Sequence, residues 1–305
     1  MWAHDAIKRR FSVGIMAFPA TAFRSDGSFD RACYEEHVAF LAGHQPTALV
    51  AAGGAGEIFS LTLEEHAEVM QATVAQAGGL PVVGGAGYGT AMACQMARAV
   101  ESAGGDAVLL LPPYLVRSEQ EGLFAHIRQV CASVSIGVIP YSRDNAIISA
   151  DTLLRLIECC PNLVALKDGT GNLGSISRLR ERAGERLTII NGTPTAESFA
   201  VQFRSIGIHS YSSAVFTFLP LLAKRFFAAL QSGDQVLVEA MMTRFYRPLV
   251  ELRDRKHGYA VSIVKAGLRV TGRSAGPVRP PLVDFDAQDE GRLMHLIAGA
   301  AEWNR

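Results

Sequence analysis

The feature that most restricts the fold of this chain is an eightfold alternation. Short apolar runs recur at residues 11–16, 48–52, 81–84, 107–111, 136–140, 163–166, 187–190 and 207–211. Each ends in Gly, Pro or polar residues, and an amphipathic stretch follows. A short, near-continuous apolar run fits a strand covered on both faces. The stretches between read as helices. After the second run, Leu63, Ala67, Met70, Val74 and Ala77 fall at three- and four-residue spacing, one stripe of a helix. Thr62 with Glu65 predicts a capping box at its start, and Ser118 with Glu121 repeats that pattern after the fourth run. Strands alternating with helices predict βαβ units and a parallel sheet. Eight such units fit a closed (β/α)8 TIM barrel better than an open sheet. A barrel of this kind needs roughly 250 residues, fewer than the 305 present. The pattern turns all-helical near residue 231, so we expect a catalytic barrel over 1–233 and a C-terminal helical layer packed on it over 234–305. Its helices are expected at 234–254, 258–271 and 286–302, with the rigid Gly276-Pro277-Val278-Arg279-Pro280-Pro281 loop before the last.

Composition removes several classes of function. Acidic and basic residues number 29 each, so no basic face for nucleic acid or anionic membrane is implied. The first ten residues are polar and mixed in charge, unlike a signal peptide. No apolar run reaches the ~18 residues of a membrane span. The five cysteines include no C-x-x-C pair and are expected to be reduced core thiols in a cytoplasmic protein. The eight histidines are scattered, without H-E-x-x-H or a Cys/His cluster, so no metal is expected. Neither residues 53–57 nor residues 84–89 match G-x-G-x-x-G, and no G-K-[ST] occurs anywhere, which disfavours a nucleotide cofactor.

In such a barrel the active site lies at the C-terminal ends of the strands. Those ends carry Gly53-Gly54-Ala55-Gly56-Glu57, Gly84-Gly85-Ala86-Gly87, Pro112-Pro113-Tyr114, Tyr141-Ser142-Arg143, Lys167-Asp168-Gly169, Asn191-Gly192-Thr193-Pro194-Thr195 and Ser210-Tyr211-Ser212-Ser213. A lysine, tyrosines, hydroxyls and glycine amides thus converge on one mouth, a set suited to a substrate with a carbonyl and carboxylates.

Lys167 follows directly on an apolar run. A lysine in low-dielectric surroundings loses pKa and becomes a neutral amine nucleophile. Such an amine attacks a ketone to give an iminium, an electron sink for the neighbouring carbons. The plainer reading is a solvated strand-end lysine paired with Asp168. Lysine is scarce here, only five of the 29 basic residues. Tyr141 ends the neighbouring strand, where a phenol can shuttle protons; otherwise it is an amphipathic residue of the barrel rim. Gly53, Gly54, Ala55 and Gly56 offer amides that approach a carboxylate closely, or form an ordinary tight turn. Arg143 can hold a distal carboxylate with its planar fork, or pair with Asp144 at the surface. Ser212, Ser213 and Thr193 offer hydroxyls, or serve turn chemistry. Lys265, on a helical stretch among Ile263, Val264, Ala266 and Leu268, reads as structural.

These stretches resemble the dihydrodipicolinate synthase / N-acetylneuraminate lyase superfamily, from about Phe11 to Phe285. Its Gly-x-x-Gly-Glu loop is similar to residues 53–57, its Schiff-base segment to Leu166-Lys167-Asp168-Gly169-Thr170-Gly171-Asn172, and its proton-shuttling tyrosine to Tyr141. Longer stretches resemble the superfamily's 5-dehydro-4-deoxyglucarate dehydratase group: Tyr141-Ser142-Arg143-Asp144-Asn145-Ala146, Pro194-Thr195-Ala196-Glu197, Tyr211-Ser212-Ser213-Ala214-Val215-Phe216 and Tyr259-Ala260-Val261-Ser262-Ile263-Val264-Lys265-Ala266-Gly267. Three positions depart from the pattern. Ala55 stands where the dehydratases tend to carry threonine, Ser142 where the family usually has Asn, and Leu115 where the synthases place a tyrosine.

The resemblance implies a 2-keto acid substrate and a Schiff base on Lys167. It implies dehydration and decarboxylation of 5-dehydro-4-deoxyglucarate to 2,5-dioxopentanoate, with no cofactor, and a homo-oligomer, dimer or tetramer. Two alternatives stand beside this. One is an aldolase of the same superfamily releasing pyruvate and an aldehyde. The other is a non-catalytic keto-acid-binding protein, which Ala55 suggests.

Overall fold

The computed structural model describes residues 2–304, and Met1 and Arg305 lie outside them. Eight parallel strands close into one barrel in sequential order. They are β1 (Val13–Ala17), β2 (Ala48–Ala51), β3 (Val82–Ala86), β4 (Ala107–Leu110), β5 (Gly137–Ser142), β6 (Ala165–Asp168), β7 (Thr188–Asn191) and β8 (His209–Ser213), and β1 pairs with β8 to seal the ring. The TIM barrel is therefore observed. The helix α1 (His4–Phe11) precedes it. Seven crossovers carry α2 (Arg31–Gly43), α3 (Leu63–Gln76), α4 (Thr90–Ser102), α5 (Gln120–Ala132), α6 (Ala150–Cys159), α7 (Leu173–Ala183) and α8 (Ala200–Ser205), and α9 (Pro220–Ser232) follows the last strand. The remaining helices are α10 (Gln235–Met241), α11 (Arg247–Arg253), α12 (Tyr259–Val270) and α13 (Ala287–Gly299), with a π-helical turn at Met242–Tyr246 between α10 and α11.

Two apolar clusters hold this arrangement. The larger fills the shell between strands and helices and continues into α10–α13. The smaller fills the barrel itself with Met16, Phe18, Val50, Val83, Leu109, Ile139, Ala165 and Ile190, among others. Alternation along each strand sorts side chains between the two.

Three features differ from the sequence-based expectation. Residue 11 opens no strand; it ends α1, an element whose polar composition hid it. Ile7 and Phe11 of α1 are fully buried and join the barrel-interior cluster. Arg10 donates to the carbonyls of Pro46 and Thr47 just before β2, so α1 covers the N-terminal ends of the strands. The Thr62–Glu65 capping box forms in both directions. The Ser118–Glu121 box does not: α5 starts at Gln120, its N-cap Glu119 makes no side-chain cap, and Glu121 pairs with Arg155 instead. All five cysteines are free, but they are not all core thiols, because Cys159 is exposed at the end of α6.

Among the described residues, no helix is long and apolar enough to cross a membrane, and no cluster of three His, Cys, Asp or Glu is arranged around a metal position.

Candidate active site at the barrel mouth

Parallel pairing brings Tyr141 of β5 directly beside Lys167 of β6. Lys167 lies two residues beyond Ala165, so it points into the barrel with the interior cluster. It is 6 % exposed. Its Nζ sits 4.5 Å from the Phe18 ring centroid and 4.2 Å from that of Tyr141. No carboxylate pairs with it among the described residues. Burial, with a smaller contribution from the Arg143 charge, brings its pKa down to about 7. A free amine is then within reach at neutral pH.

The expected pairing of Lys167 with Asp168 is not formed. Neighbours on a strand point to opposite faces, so Asp168 leaves the barrel. Its Oδ1 accepts from the Thr170 and Gly171 amides at 3.0 and 3.1 Å, and from the Thr170 hydroxyl at 3.0 Å. It ties the turn after β6 and leaves the lysine unpaired. The same alternation turns Ser142 outward, where its hydroxyl oxygen accepts from the Ile148 amide at 3.1 Å. The departure at Ser142 therefore lies behind the site.

Gly192, just past β7, was not singled out in the sequence, and it shapes the pocket. A Cβ there would stand 2.5 Å from Cγ and 2.6 Å from Cε of Lys167, and 2.9 Å from Cε2 of Tyr141. Only glycine lets the lysine stem and the tyrosine ring close on the backbone. The Gly192 carbonyl also accepts the Tyr141 hydroxyl at 2.5 Å. Arg143 donates to the same phenol oxygen at 3.2 Å while its Nε holds Asp144 at 2.6 Å. The salt bridge with Asp144 is thus formed, and the same guanidinium also reaches the phenol at the mouth. Burial raises the Tyr141 pKa, and Arg143 opposes that rise.

The glycine loop leaves β2 through Ala52 at φ 47° and ends at Glu57 at φ 54°. A Cβ on Gly53 would stand 3.1 Å from the Phe18 ring that also covers Lys167. The loop and the lysine therefore share one wall. Within the loop, Glu57 donates to the Gly54 carbonyl and Ile58 to that of Gly53. The amides of Gly54, Ala55 and Gly56 have no acceptor among the described residues. Consecutive free amides of this kind form an anion-binding concavity. The side chain of Ala55 packs on the barrel-interior cluster.

The hydroxyls divide by strand face. Ser212 pairs with Met16 in register and lies on the interior side of β8. Ser213 points outward and donates to Glu197 at 2.5 Å. The Thr193 hydroxyl donates to Asn191 at 2.8 Å, so it orders the turn after β7 and does not hang free in the mouth. Sequence reasoning missed Phe18, Gly192 and Glu197. Glu197 is buried, and burial raises its pKa to about 7.

Comparison with known proteins agrees with this geometry. The chain is 48% identical over 294 residues to a probable 5-dehydro-4-deoxyglucarate dehydratase of Rhizobium rhizogenes, covering 96% of this chain and 97% of the relative. It is 50% identical over 285 residues to a protein of the same description from Bradyrhizobium diazoefficiens, covering 93% and 91%. Among solved structures it superposes on the dihydrodipicolinate synthase of Bacillus clausii with a TM-score of 0.88 at 27% identity, covering 97% of this chain and 99% of that one. Residues 11–300 match the sequence model of the Dihydrodipicolinate synthetase family. A match of that extent, on a closed barrel with relatives near half identity, makes this chain a member of the dihydrodipicolinate synthetase family.

Proposed function

We propose that the chain is a Schiff-base lyase that converts 5-dehydro-4-deoxyglucarate to 2,5-dioxopentanoate, water and carbon dioxide. The observation that carries this reading is Lys167, buried without a counter-ion and titrating at about 7 beside the Tyr141 phenol. The names of the half-identical relatives supply the substrate.

Numbering runs from the keto-acid end. The C1 carboxylate rests on the free amides of residues 54–56, which places the C2 ketone over the lysine. The neutral Nζ adds to C2, Tyr141 passes protons to the carbinolamine, and water leaves as the iminium forms. The iminium acidifies C3. Loss of the C3 proton gives an enamine, which expels the C4 hydroxyl as water. The resulting conjugated iminium accepts the electron pair released when the C6 carboxylate leaves as carbon dioxide. Tautomerisation makes C5 the aldehyde, and hydrolysis frees Lys167. Arg143 and Ser212 face the distal end of the substrate. Ala55 replaces a hydroxyl, so C1 recognition falls on backbone amides. The barrel itself needs no organic cofactor in this scheme, since the lysine makes the electron sink.

The test is to incubate the protein with 5-dehydro-4-deoxyglucarate and follow both products. Equal amounts of carbon dioxide and 2,5-dioxopentanoate are expected. Pyruvate with an aldehyde would instead identify an aldolase. Neither product, with a keto acid still trapped on Lys167 by borohydride, would leave a non-catalytic binder.

We further propose a cytoplasmic homo-oligomer, dimer or tetramer. Exposed Val201 and Val236, on opposite sides of a cleft between α8 and α10, support a covered face. Light scattering reads the mass directly.

A further inference from the structure

A second lysine is buried some way from the first. Lys265 on α12 is fully enclosed, and so is Glu57 at the end of the glycine loop. Their Nζ and Oε1 lie 2.7 Å apart. The other carboxylate oxygen of Glu57 accepts the Arg279 amide at 3.0 Å. Lys265 also donates to the Pro277 carbonyl at 2.7 Å and lies 4.3 Å from the Phe23 ring centroid. Arg279 stands over the same ring at 4.0 Å, and its guanidinium grips Glu65 and the carbonyls of Gly27 and Ser60. From the other side, Thr21 donates to the Gly56 carbonyl at 2.6 Å. Three parts of the chain therefore meet on the last two residues of the glycine loop.

The backbone there needs holding. Glu57 sits in the left-handed region at φ 54°, a conformation costly for a residue with a Cβ. Such a conformation persists only where the surroundings over-determine it. Reversing it would rotate the peptide that carries the Glu57 amide and change how the loop presents its amides.

We propose that the Lys265–Glu57 ion pair is the positioning device for carboxylate recognition, holding the free amides of residues 54–56 toward the C2-ketone site. It acts in two ways. It clamps the end of the loop to α12 and to the 277–279 segment. It also neutralises the Glu57 carboxylate, which would otherwise repel an incoming substrate anion through a low-dielectric interior. Lys265 and Glu57 touch no substrate; they act through the loop. The inference rests on the Schiff-base reading of Lys167.

The experiment compares two ketones, pyruvate and hydroxyacetone, each trapped on the protein by borohydride. In both cases Nζ adds to the carbonyl, water leaves, and hydride reduces the iminium carbon, so the adduct mass reports the site. Only pyruvate has a carboxylate. In the native protein pyruvate is expected to label Lys167 faster than hydroxyacetone. In Lys265→Met the pyruvate-to-hydroxyacetone rate ratio is expected to fall by about tenfold or more, the worth of a lost hydrogen bond to a charged group. The hydroxyacetone rate should be unchanged. General loosening of the fold would lower both rates together and leave the ratio alone. Glu57→Gln keeps a group of the same shape for the Arg279 amide but removes the ion pair and the repelling carboxylate together; it isolates the clamp, and a smaller fall in the ratio is expected. An unchanged ratio in either variant overturns the proposal while the Schiff-base reading stands. Labelling of neither ketone on Lys167 in the native protein overturns both.

Discussion

Two lysines are buried in this molecule, one at the barrel mouth and one beneath the C-terminal helices, and burial has opposite uses for them. Lys167 has aromatic rings, a glycine backbone and a neighbouring guanidinium around it, and no anion. Its charge is unsupported, so the proton is weakly held at about pH 7. Lys265 is fully enclosed, and burial lowers its pKa too, but Glu57 pulls the other way. It keeps a carboxylate at 2.7 Å and a carbonyl at the same distance. An amine without a partner is chemistry in waiting. An amine with one is a rivet. Depth of burial does not separate the two; the presence of an anion does.

The contrast can be broken from either side. The largest effect is expected at the mouth. Lys167→Ala should reduce turnover by about 10⁴-fold or more, as loss of a covalent nucleophile does. Survival of a tenth of native activity would remove the Schiff base from the mechanism. Next is stability. Lys265→Met leaves a buried, uncompensated carboxylate and should lower unfolding free energy by about 3–5 kcal/mol. Lys167→Met should leave the protein at least as stable as the native form, because it removes an unpaired buried amine. Guanidinium titrations of the two variants side by side would show equal losses if the contrast were wrong.

Smaller is the effect of the phenol. Tyr141→Phe is expected to slow kcat by roughly 10²-fold, the low end for a general acid–base group. Iminium trapping with pyruvate should slow less, since ring packing on Lys167 is retained. Smallest is a slope. An unfolded lysine titrates near 10.4, whereas Lys167 does so at about 7 when folded. Between these values the unfolded chain binds the extra proton, so stability rises with pH across that window. The slope is up to about 1.4 kcal/mol per pH unit. Below pH 7 both forms hold the proton and this contribution levels off. Lys167→Met should lose that part of the slope, which chemical denaturation at pH 7 and pH 9 would measure. In the native enzyme, kcat/KM should rise with pH through about 7 as the amine is freed.

Much of this was legible in the chain. Eight apolar runs with helical stripes between them leave few folds available, and in that fold strand ends become the site. Position brings Lys167, Tyr141 and the glycine loop to the barrel mouth, and the resemblance to a known family supplies their roles. What was not legible has two physical sources. Some contacts join remote parts of the sequence: the Arg279 amide reaches Glu57 across 222 positions, and no local pattern announces it. Others depend on which face of a strand a residue takes. Asp168 is adjacent to Lys167 in sequence, and for that reason it points away. Thr193 shares a strand end with the site, yet its hydroxyl is spent on Asn191. Gly192 carried no signal beyond being a glycine at a strand end, and its meaning lies in a space that only coordinates reveal. α1 was hidden because two buried apolar residues among eight are too few to mark a stripe.

That first helix bears on the chemistry from the far end of the barrel. Its Ile7 and Phe11 continue an apolar column that runs upward through Ala165 and Ile190 to the rings around Lys167. A version of this polypeptide begun at residue 12 would retain every strand and every mouth residue, yet its floor would leak. Water rising from below would raise the local dielectric, return the proton to the lysine, and switch off a nucleophile whose own surroundings had not been touched. The insulation of the reacting amine is thus written partly in a helix that never comes near it.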